Sequence, residues 1–463
     1  MQPLSDVNTF DNKAFLKTVG TLGVPVIFQQ LLTACLNMID TVMVGGLGEI
    51  SVAAVAVANK LVYVYTLVIF GLCTGLSIFV AQYYGAGDHK KIGQLSGFMY
   101  ACVAGAGLLF TVVFAIFAPQ LVALFVEDEP DVVTKVVSEG TAYLRVICFS
   151  IVITGLSFAL SSLCRGVRLT KLPLYATVIS VLTNTGLNYI LIFGKLGLPA
   201  LGVVGAAVAT VIARLVEFAL LVCIVYSKHN INPIRTKFKN MFKWPKGFVG
   251  KLMQTASPVV INETLWGLAQ TVYVALIGIL GASSVAVIQI STTVSSIFFS
   301  LSQGVSVACS VMVGNAIGSG DFAYAEKCAK RFLAINLLCG AVCGLSVYLF
   351  KREIVGFFAL EESTLPLMLK TLDVVSVTMW MSMLNNLFIV GIFRSGGDTK
   401  FCMILEAGSL WLVGIPIMYY CVRYLHISVY VAAALLQTDN FLKLFFSFPR
   451  FFSGKWMRRV ISD

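Results

Sequence analysis

Twelve apolar runs divide this chain, and each is long enough to cross a bilayer. A spanning helix needs about 20 residues at a rise of about 1.5 Å each. The runs lie at 16–44, 52–80, 95–118, 138–163, 173–194, 203–227, 254–280, 285–312, 331–350, 366–393, 402–422 and 427–449. Hydrocarbon offers no water to backbone N–H and C=O groups, so runs of this length must close their hydrogen bonds internally, as helices. Only 12% of the residues are charged, against about 25% in a soluble domain. The expected fold is an all-α integral membrane protein.

The charges that remain are sorted by loop. One side collects Lys13 and Lys17, Lys90 and Lys91, Arg165, Arg168 and Lys171, a basic linker at 228–252, Lys327, Lys330 and Arg331, Arg394 and Lys400, and the C-terminal Arg450, Lys455, Arg458 and Arg459. The other side has Lys195, Lys351, Arg352, Arg423 and the acidic stretch EDEPD at 127–131. Positive loops stay in the cytoplasm, so both termini are expected there, in a plasma (inner) membrane. The formal charge of +11 then needs no nucleic-acid partner. The N-terminus lacks the basic start, apolar run and small-residue cleavage site of a signal peptide. The linker section KFKNMFKW alternates basic and apolar residues, which suits a surface-lying helix or a solvated connection. The 12 Cys are scattered, with no CxxC pair; free, buried thiols are expected and no metal site. His89, His229 and His426 fall near predicted loops and form no catalytic constellation.

The chain repeats itself. At an offset of 233, Pro25 meets Pro258, Gly48 meets Gly281, Ser77 meets Ser310, and GAGD at 85–88 meets GSGD at 318–321. At 229, RGVRLTK at 165–171 meets RSGGDTK at 394–400. Such an internal match marks duplication. It divides the chain into a bundle at 1–227, the linker at 228–252 and a second bundle at 253–463. Six spans per half keep both halves in one orientation, related by a pseudo-two-fold axis along the membrane normal.

Function is sought where the halves differ. Asp40 aligns with Tyr273, and Glu263 with Gln30. A carboxylate in a span costs about 2.5–3.5 kcal/mol on insertion scales, so it faces a cavity, pairs or titrates. Asn37 lies one turn before Asp40. Pro25, lower in the same span, frees a carbonyl and permits a bend. Asn184 and Asn188 are spaced i, i+4 on one face; they line a cavity or tie helices together. Asp40 serves ion coupling or is held structurally by Asn37 or span-five amides. Glu263 binds a cation or is satisfied at the Pro258 kink, and Asn262 points about 100° away from it. Arg214 with Glu217, and Asp439 with Lys443, have the spacing of self-neutralising pairs. Glu406 and Lys60 have no evident partner. The many Phe, Tyr and Met side chains suit a cavity that repacks around varied shapes.

These segments together resemble the multidrug and toxic compound extrusion (MATE) transporters: PVIFQQLLTACLNMIDTVMVGGLG, AQYYGAGDHKK, LCRGVRLTK, NTGLNYILIFGKLGLPALGVVGAAVAT, NETLWGLAQTVYVALIGILG and FRSGGDTK. The resemblance implies a V-shaped, two-bundle monomer that exports amphipathic, often cationic, organic compounds against inward flow of H+ or Na+, with no cofactor. It implies a coupling site at Asp40, Asn184 and Thr210. It also places Asn188 where some members carry a second acid, which puts a two-carboxylate relay in doubt. Glu263 stands in the span that bears a cation-binding Glu in other members. An acid used by some in span ten is replaced by Asn385 and Asn386.

Small organic substrates and membrane lipids are thus the expected partners. No GxxxxGK[ST] loop is present for an ATP-driven pump. A flippase or a dedicated metabolite exporter fits the same architecture. A membrane-embedded enzyme would want clustered His, paired carboxylates or a nucleophile with its base, and none is found.

Overall fold

The structure, a computed structural model, describes residues 11–126, 129–227, 232–358, 362, 364–425 and 427–461. Eleven helices among them are long and apolar enough to span a membrane. They are α1 (Asn12–Gly45), α2 (Glu49–Gly85), α3 (His89–Ala123), α4 (Pro130–Gly166), α5 (Lys171–Phe193), α6 (Gly202–Tyr226), α7 (Phe248–Gly278), α8 (Ala282–Ser319), α9 (Phe322–Gly356), α10 (Leu365–Phe393) and α11 (Thr399–Tyr424). The expected twelfth span is instead two shorter helices, α12 (Val429–Leu435) and α13 (Thr438–Phe452). Polar side chains cluster at the break. Gln437 Oε1 accepts from Ser382 Oγ at 3.1 Å and from Asn440 Nδ2 at 2.8 Å, while the Asn440 carbonyl accepts from Asn385 Nδ2 at 2.8 Å. These bonds tie the break to Ser382 and Asn385 of α10.

Three other expectations change. KFKNMFKW forms a single helical turn, Phe238–Met241. The linker around it is no long surface helix: Arg235, Lys237, Lys239, Lys243 and Lys246 are exposed, as a solvated connection requires, while Thr236 and Met241 seat against Gly93 and Gly97 of α3. Trp244 Nε1 donates to the Gln94 carbonyl at 3.1 Å, and Gln94 Nε2 donates to the Lys243 carbonyl at 2.6 Å. Arg394, counted above as a loop cation, is only 4% exposed. Cys35 and Cys223 are exposed rather than buried. Glu127, Asp128, Lys228, His229 and His426 lie outside the described residues.

The repeated GAGD and GSGD explain themselves residue by residue. Gly87 (φ 73°) and Gly320 (φ 87°) take the left-handed turn that glycine adopts without strain. Asp88 and Asp321 then cap the next helices, accepting from the backbone N of Lys91 (3.0 Å) and Tyr324 (2.9 Å), a contribution of about 1 kcal/mol each. Gly85 and Gly318 let backbones touch. A Cβ on Gly85 would lie 1.9 Å from the Asn315 carbonyl oxygen, and one on Gly318 2.0 Å from the Gln82 carbonyl oxygen.

Those two contacts are one contact repeated with the halves exchanged. The same holds for Gly71 against Val260 and Gly304 against Ile27, and for Gly75 against Ala256 and Gly23 against Ala308. Each member of a pair maps onto its twin at the offset of 233. This is the pseudo-two-fold axis, and α2 and α8 cross on it. The inner ends of α1 and α7 are also exchanged. Phe15 and Leu22 of α1 lie in the core of the second half, whereas Phe248, Leu252 and Ala256 of α7 lie in that of the first. Pro25 is buried near this exchange. It leaves the Thr21 carbonyl without its helical donor, and Thr170 Oγ1 supplies one at 3.1 Å.

These contacts join the halves at the end that bears Lys90, Lys91 and Lys327. Gln82, fully buried there, holds the C-terminal tail. It donates to the Ser395 and Arg458 carbonyls (3.1 Å each) and accepts from the Val460 backbone N at 2.8 Å. Beyond Leu67, which meets Gly267, the halves part. Lys60, Tyr63 and Val64 on α2 and Gln289, Thr293 and Ile297 on α8 are exposed. The result is a V closed at its basic end.

Gly85→Val should force that seam apart. Spin labels at positions 90 and 327, in a cysteine-free background, should report a longer and broader distance than in the parent protein, and the thermal midpoint should fall. An unchanged distance distribution would show that the seam does not depend on this approach.

Candidate functional site

In the first half, α1, α5 and α6 bring four of the expected residues into one hydrogen-bonded chain. Asp40, half-buried on α1, accepts at Oδ1 from Asn188 Nδ2 at 2.6 Å. The same amide donates to Asn184 Oδ1 at 2.9 Å. Asn184 Nδ2 donates to Thr210 Oγ1 at 3.2 Å, and Thr210 Oγ1 donates to the Ala206 carbonyl at 3.0 Å. The i, i+4 spacing stacks the two amides on one face of α5, and a Thr back-bonded to its own helix fixes the far end. Asn37 does not join. It is exposed, and its side chain makes no hydrogen bond among the described residues. Asn188 Oδ1 is buried with no hydrogen-bond partner among the described residues. An acceptor left so costs about 1–3 kcal/mol.

A second polar layer lies about two helical turns nearer the closed end. Gln29 Nε2 donates to Thr177 Oγ1 at 3.0 Å, Thr177 Oγ1 to Glu217 Oε1 at 3.3 Å, and Arg214 Nη1 to Glu217 Oε2 at 2.7 Å. The Arg214–Glu217 pair was legible from spacing; its extension across α5 to α1 was not.

The second half carries a larger charged cluster than the single Arg214–Glu217 pair of the first. Glu263 on α7 meets Arg394 Nη1 at 2.6 Å, so a cation rather than the Pro258 kink satisfies it. Arg394 Nη2 lies 3.7 Å from Glu406 Oε2. Asn262 donates to the same oxygen, despite its different direction on α7. Lys443 bridges Glu406 Oε1 at 3.9 Å and Asp439 Oδ2 at 2.7 Å. Glu406 therefore has three partners. The cluster holds three carboxylates and two cations. Asn385 and Asn386 are engaged elsewhere, with Asn440 and with Ser302, Gln303 and Ser306.

The repeat relates this cluster to the Gln29 layer and not to Asp40. Gln29 maps to Asn262 at 233 and Thr177 to Glu406 at 229. The buried positions of α6 match those of α12 and α13 at an offset of 226: Val203 with Val429, Ala206 with Ala432, and Glu217 with Lys443. The first-half row Gln29–Thr177–Glu217 is thus the counterpart of Asn262–Glu406–Lys443. At the counterpart of Asp40 stands Tyr273, packed on Gly414 of α11.

The MatE family pattern matches residues 25–190 and 258–420, most of both halves. The chain belongs to the MATE family. Among its relatives, the multidrug resistance protein MdtK of Yersinia pseudotuberculosis is 26% identical over 420 residues, covering 86% of each chain. A protein of Thermotoga maritima named as a probable multidrug resistance protein NorM is 23% identical over 452 residues, covering 96% of this chain and 94% of its own. Solved structures agree in fold. The outward-facing conformation of a multidrug resistance MATE family transporter matches with a TM-score of 0.84 at 17% identity, covering 97% of this chain and 99% of that one. A MOP superfamily transporter from Pyrococcus furiosus also matches at 0.84, at 18% identity over 97% and 99%. MATE proteins are transporters rather than enzymes, and this one is a multi-pass membrane protein.

Removing one partner of a buried ion pair costs about 3–5 kcal/mol, because the other charge stays buried alone. Arg394→Ala should therefore lower the unfolding midpoint steeply in detergent. Arg394→Ala with Glu263→Gln should recover part of the loss. Equal midpoints for Arg394→Ala and the parent would mean that the cluster does not hold the second half together.

Proposed function

We propose that this MATE protein exports small amphipathic organic compounds in exchange for H+ bound at Asp40. The observation that carries the reading is the chain Asp40–Asn188–Asn184–Thr210, set on a helix whose inner end is packed into the opposite half. Asp40 is the better coupling group of the two expected carboxylates. Glu263 is held by Arg394, whereas Asp40 meets a neutral amide and is half open.

Asn188 suits a proton better than a second acid would. Its NH2 group donates to an ionised Asp40. If Asp40 takes a proton, the amide can turn over and accept from the carboxylic acid with Oδ1, the atom now lacking a partner, provided that Asn184, which accepts from the same NH2 group, turns with it and donates in its place. An Asp in that place could make only one of those two bonds at a given charge. Three oxygens converging on one point would favour Na+; here an NH2 group points at the carboxylate instead.

Protonation weakens the charge-assisted bond between α1 and α5, and such bonds are roughly twice as strong as neutral ones. The outer part of α1 is then freer to move, while Phe15 and Leu22 keep its inner end in the other half. Pro25, whose open carbonyl Thr170 covers, is where the helix yields. A proton drives export only if the two conformations hold it with different affinity; the same α1 that carries Asp40 also joins the two halves. The basic closed end faces the cytoplasm, so both termini are cytoplasmic and the V opens outward from the plasma (inner) membrane.

Proteoliposomes loaded with a fluorescent organic substrate test this. An imposed pH gradient should drive efflux, and Asp40→Asn should reduce it at least 100-fold while Glu263→Gln, if folded, retains coupling. Efflux driven by Na+ alone, and surviving Asp40→Asn, would overturn the assignment.

A further inference from the structure

The stripe of α2 that closes the seam continues outward into the open cleft, and a lysine stands on it. At about 100° per residue, Lys60 and Val64 lie within about 20° of the direction of Gly71. Gly75 and Gln82 share that face. In the inner half the stripe meets α7 at Ala256 and Val260, α8 at Gly318, and the tail held by Gln82. In the outer half Lys60 and Val64 are exposed among the described residues. Its height follows from the helix: 7 residues beyond Leu67, or about 10 Å above the point where Leu67 meets Gly267. The repeat places Thr293 of α8 at the matching position, exposed on the facing wall with its hydroxyl bonded to the Gln289 carbonyl. One wall of the cleft thus presents an ammonium and the other a neutral hydroxyl.

Lys60 makes no ion pair and no hydrogen bond among the described residues. The nearby carboxylates are otherwise engaged: Glu263 and Glu406 with Arg394, and Asp40 with Asn188. Glu49 shares the stripe but stands 11 residues further out, about 16 Å along the helix. A cation kept unpaired inside a span is expensive unless it faces water or meets a ligand of opposite charge.

We propose that Lys60 is a specificity-determining residue that recognises an anionic group, a carboxylate, sulfonate or phosphate, on the exported compound. The apolar part of that compound would rest on Tyr63, Val64 and Ile297. This rests on the export reading above but departs from the expectation of cationic substrates. An organic cation would meet repulsion from Lys60 and find no free carboxylate on this stretch of either wall.

Two xanthene dyes of similar size and opposite charge, fluorescein and rhodamine 6G, test it by fluorescence anisotropy against the full-length protein in nanodiscs of zwitterionic lipid. The parent protein should bind fluorescein more tightly than rhodamine 6G. Lys60→Gln should weaken fluorescein binding about tenfold or more, the scale of one hydrogen bond to a charged group, and leave the rhodamine affinity unchanged or improved. Lys60→Arg should keep fluorescein affinity within about threefold, and Lys60→Glu should reverse the preference. Lys60 is exposed and unpaired, so none of these variants should shift the thermal midpoint. Fluorescein affinity within twofold of the parent in Lys60→Gln overturns the proposal, as does failure of the parent to bind either dye. Gradient-driven efflux is read separately. If binding depends on Lys60 but no gradient drives efflux, the antiport reading falls and anion recognition stands.

Discussion

Two backbones in contact, at Gly85 against Asn315 and at Gly318 against Gln82, set the geometry of everything above them. In hydrocarbon, helices gain little from hiding apolar surface, because lipid tails are as apolar as leucine. What holds helices together is close van der Waals contact, and that needs residues without bulk on the touching faces. The seam supplies them at Gly23, Gly71, Gly75, Gly304 and Ala308 as well. All lie toward the basic end, so attraction is concentrated there and the outer parts of α2 and α8 diverge. The cleft is the consequence of where the small residues stop.

The same seam makes the halves dependent on each other. Phe15 and Phe248 occupy equivalent positions and each is packed into the other half's core. Neither half can rotate without carrying along a helix end that belongs to its neighbour. The tail adds an asymmetry. Gln82 spends all of its side-chain hydrogen bonds on Ser395, Arg458 and Val460. Its twin Asn315 has neither side-chain atom bonded among the described residues. Arg168 likewise holds a left-handed backbone (φ 66°) where its twin is Gly397, at a strain of about 1–3 kcal/mol. Duplication fixed the frame, and the copies differ within it at Gln82 against Asn315 and at Arg168 against Gly397.

Much of this was legible in the residues. Hydropathy located eleven of the twelve spans as single helices. The repeat announced the two-fold axis, since Pro, Gly and Asp recurred where turns, caps and close approaches recur. Asp40, Asn184, Asn188 and Thr210 were named on pattern and resemblance, and the fold brings them into contact. The misses have a common cause. Arg394 follows an apolar run and precedes SGGD, so linear reading puts it in a loop; the π-helical turn at Leu387–Phe393 keeps it in the interior. Glu406, Asn262 and Lys443 are far apart in sequence, and no local spacing shows that they meet. One signal was available: at the two offsets already in use, Asn262 and Glu406 fall on Gln29 and Thr177. A polar row in one half predicts a polar row in the other even when every residue type has changed.

The contrast between the charged cluster and the Asp40 chain bears on how one carboxylate serves a coupled cycle. In the second half, three acids and two cations hold one another at 2.6–3.9 Å. The pairs run as one chain from Glu263 through Arg394, Glu406 and Lys443 to Asp439, so changing the charge of one member leaves its neighbour uncompensated, and the cluster resists a local switch and stiffens α7 against α11 and α13. In the first half, Asp40 has a neutral amide as its hydrogen-bond partner, and Arg214, whose charge it feels, is paired with Glu217. Its change of charge can be absorbed by turning Asn188 and, because the Asn188 NH2 group also donates to Asn184 Oδ1, Asn184 with it, so the effect runs along the chain from α1 through α5 to Thr210 of α6. A cation must bind one conformation about ten thousandfold better than the other to reverse a hundredfold bias, about 5.5 kcal/mol. No single hydrogen bond provides that. The remainder has to come from packing that changes when α1 moves, and α1 is one of the two helices with a packed end in each half.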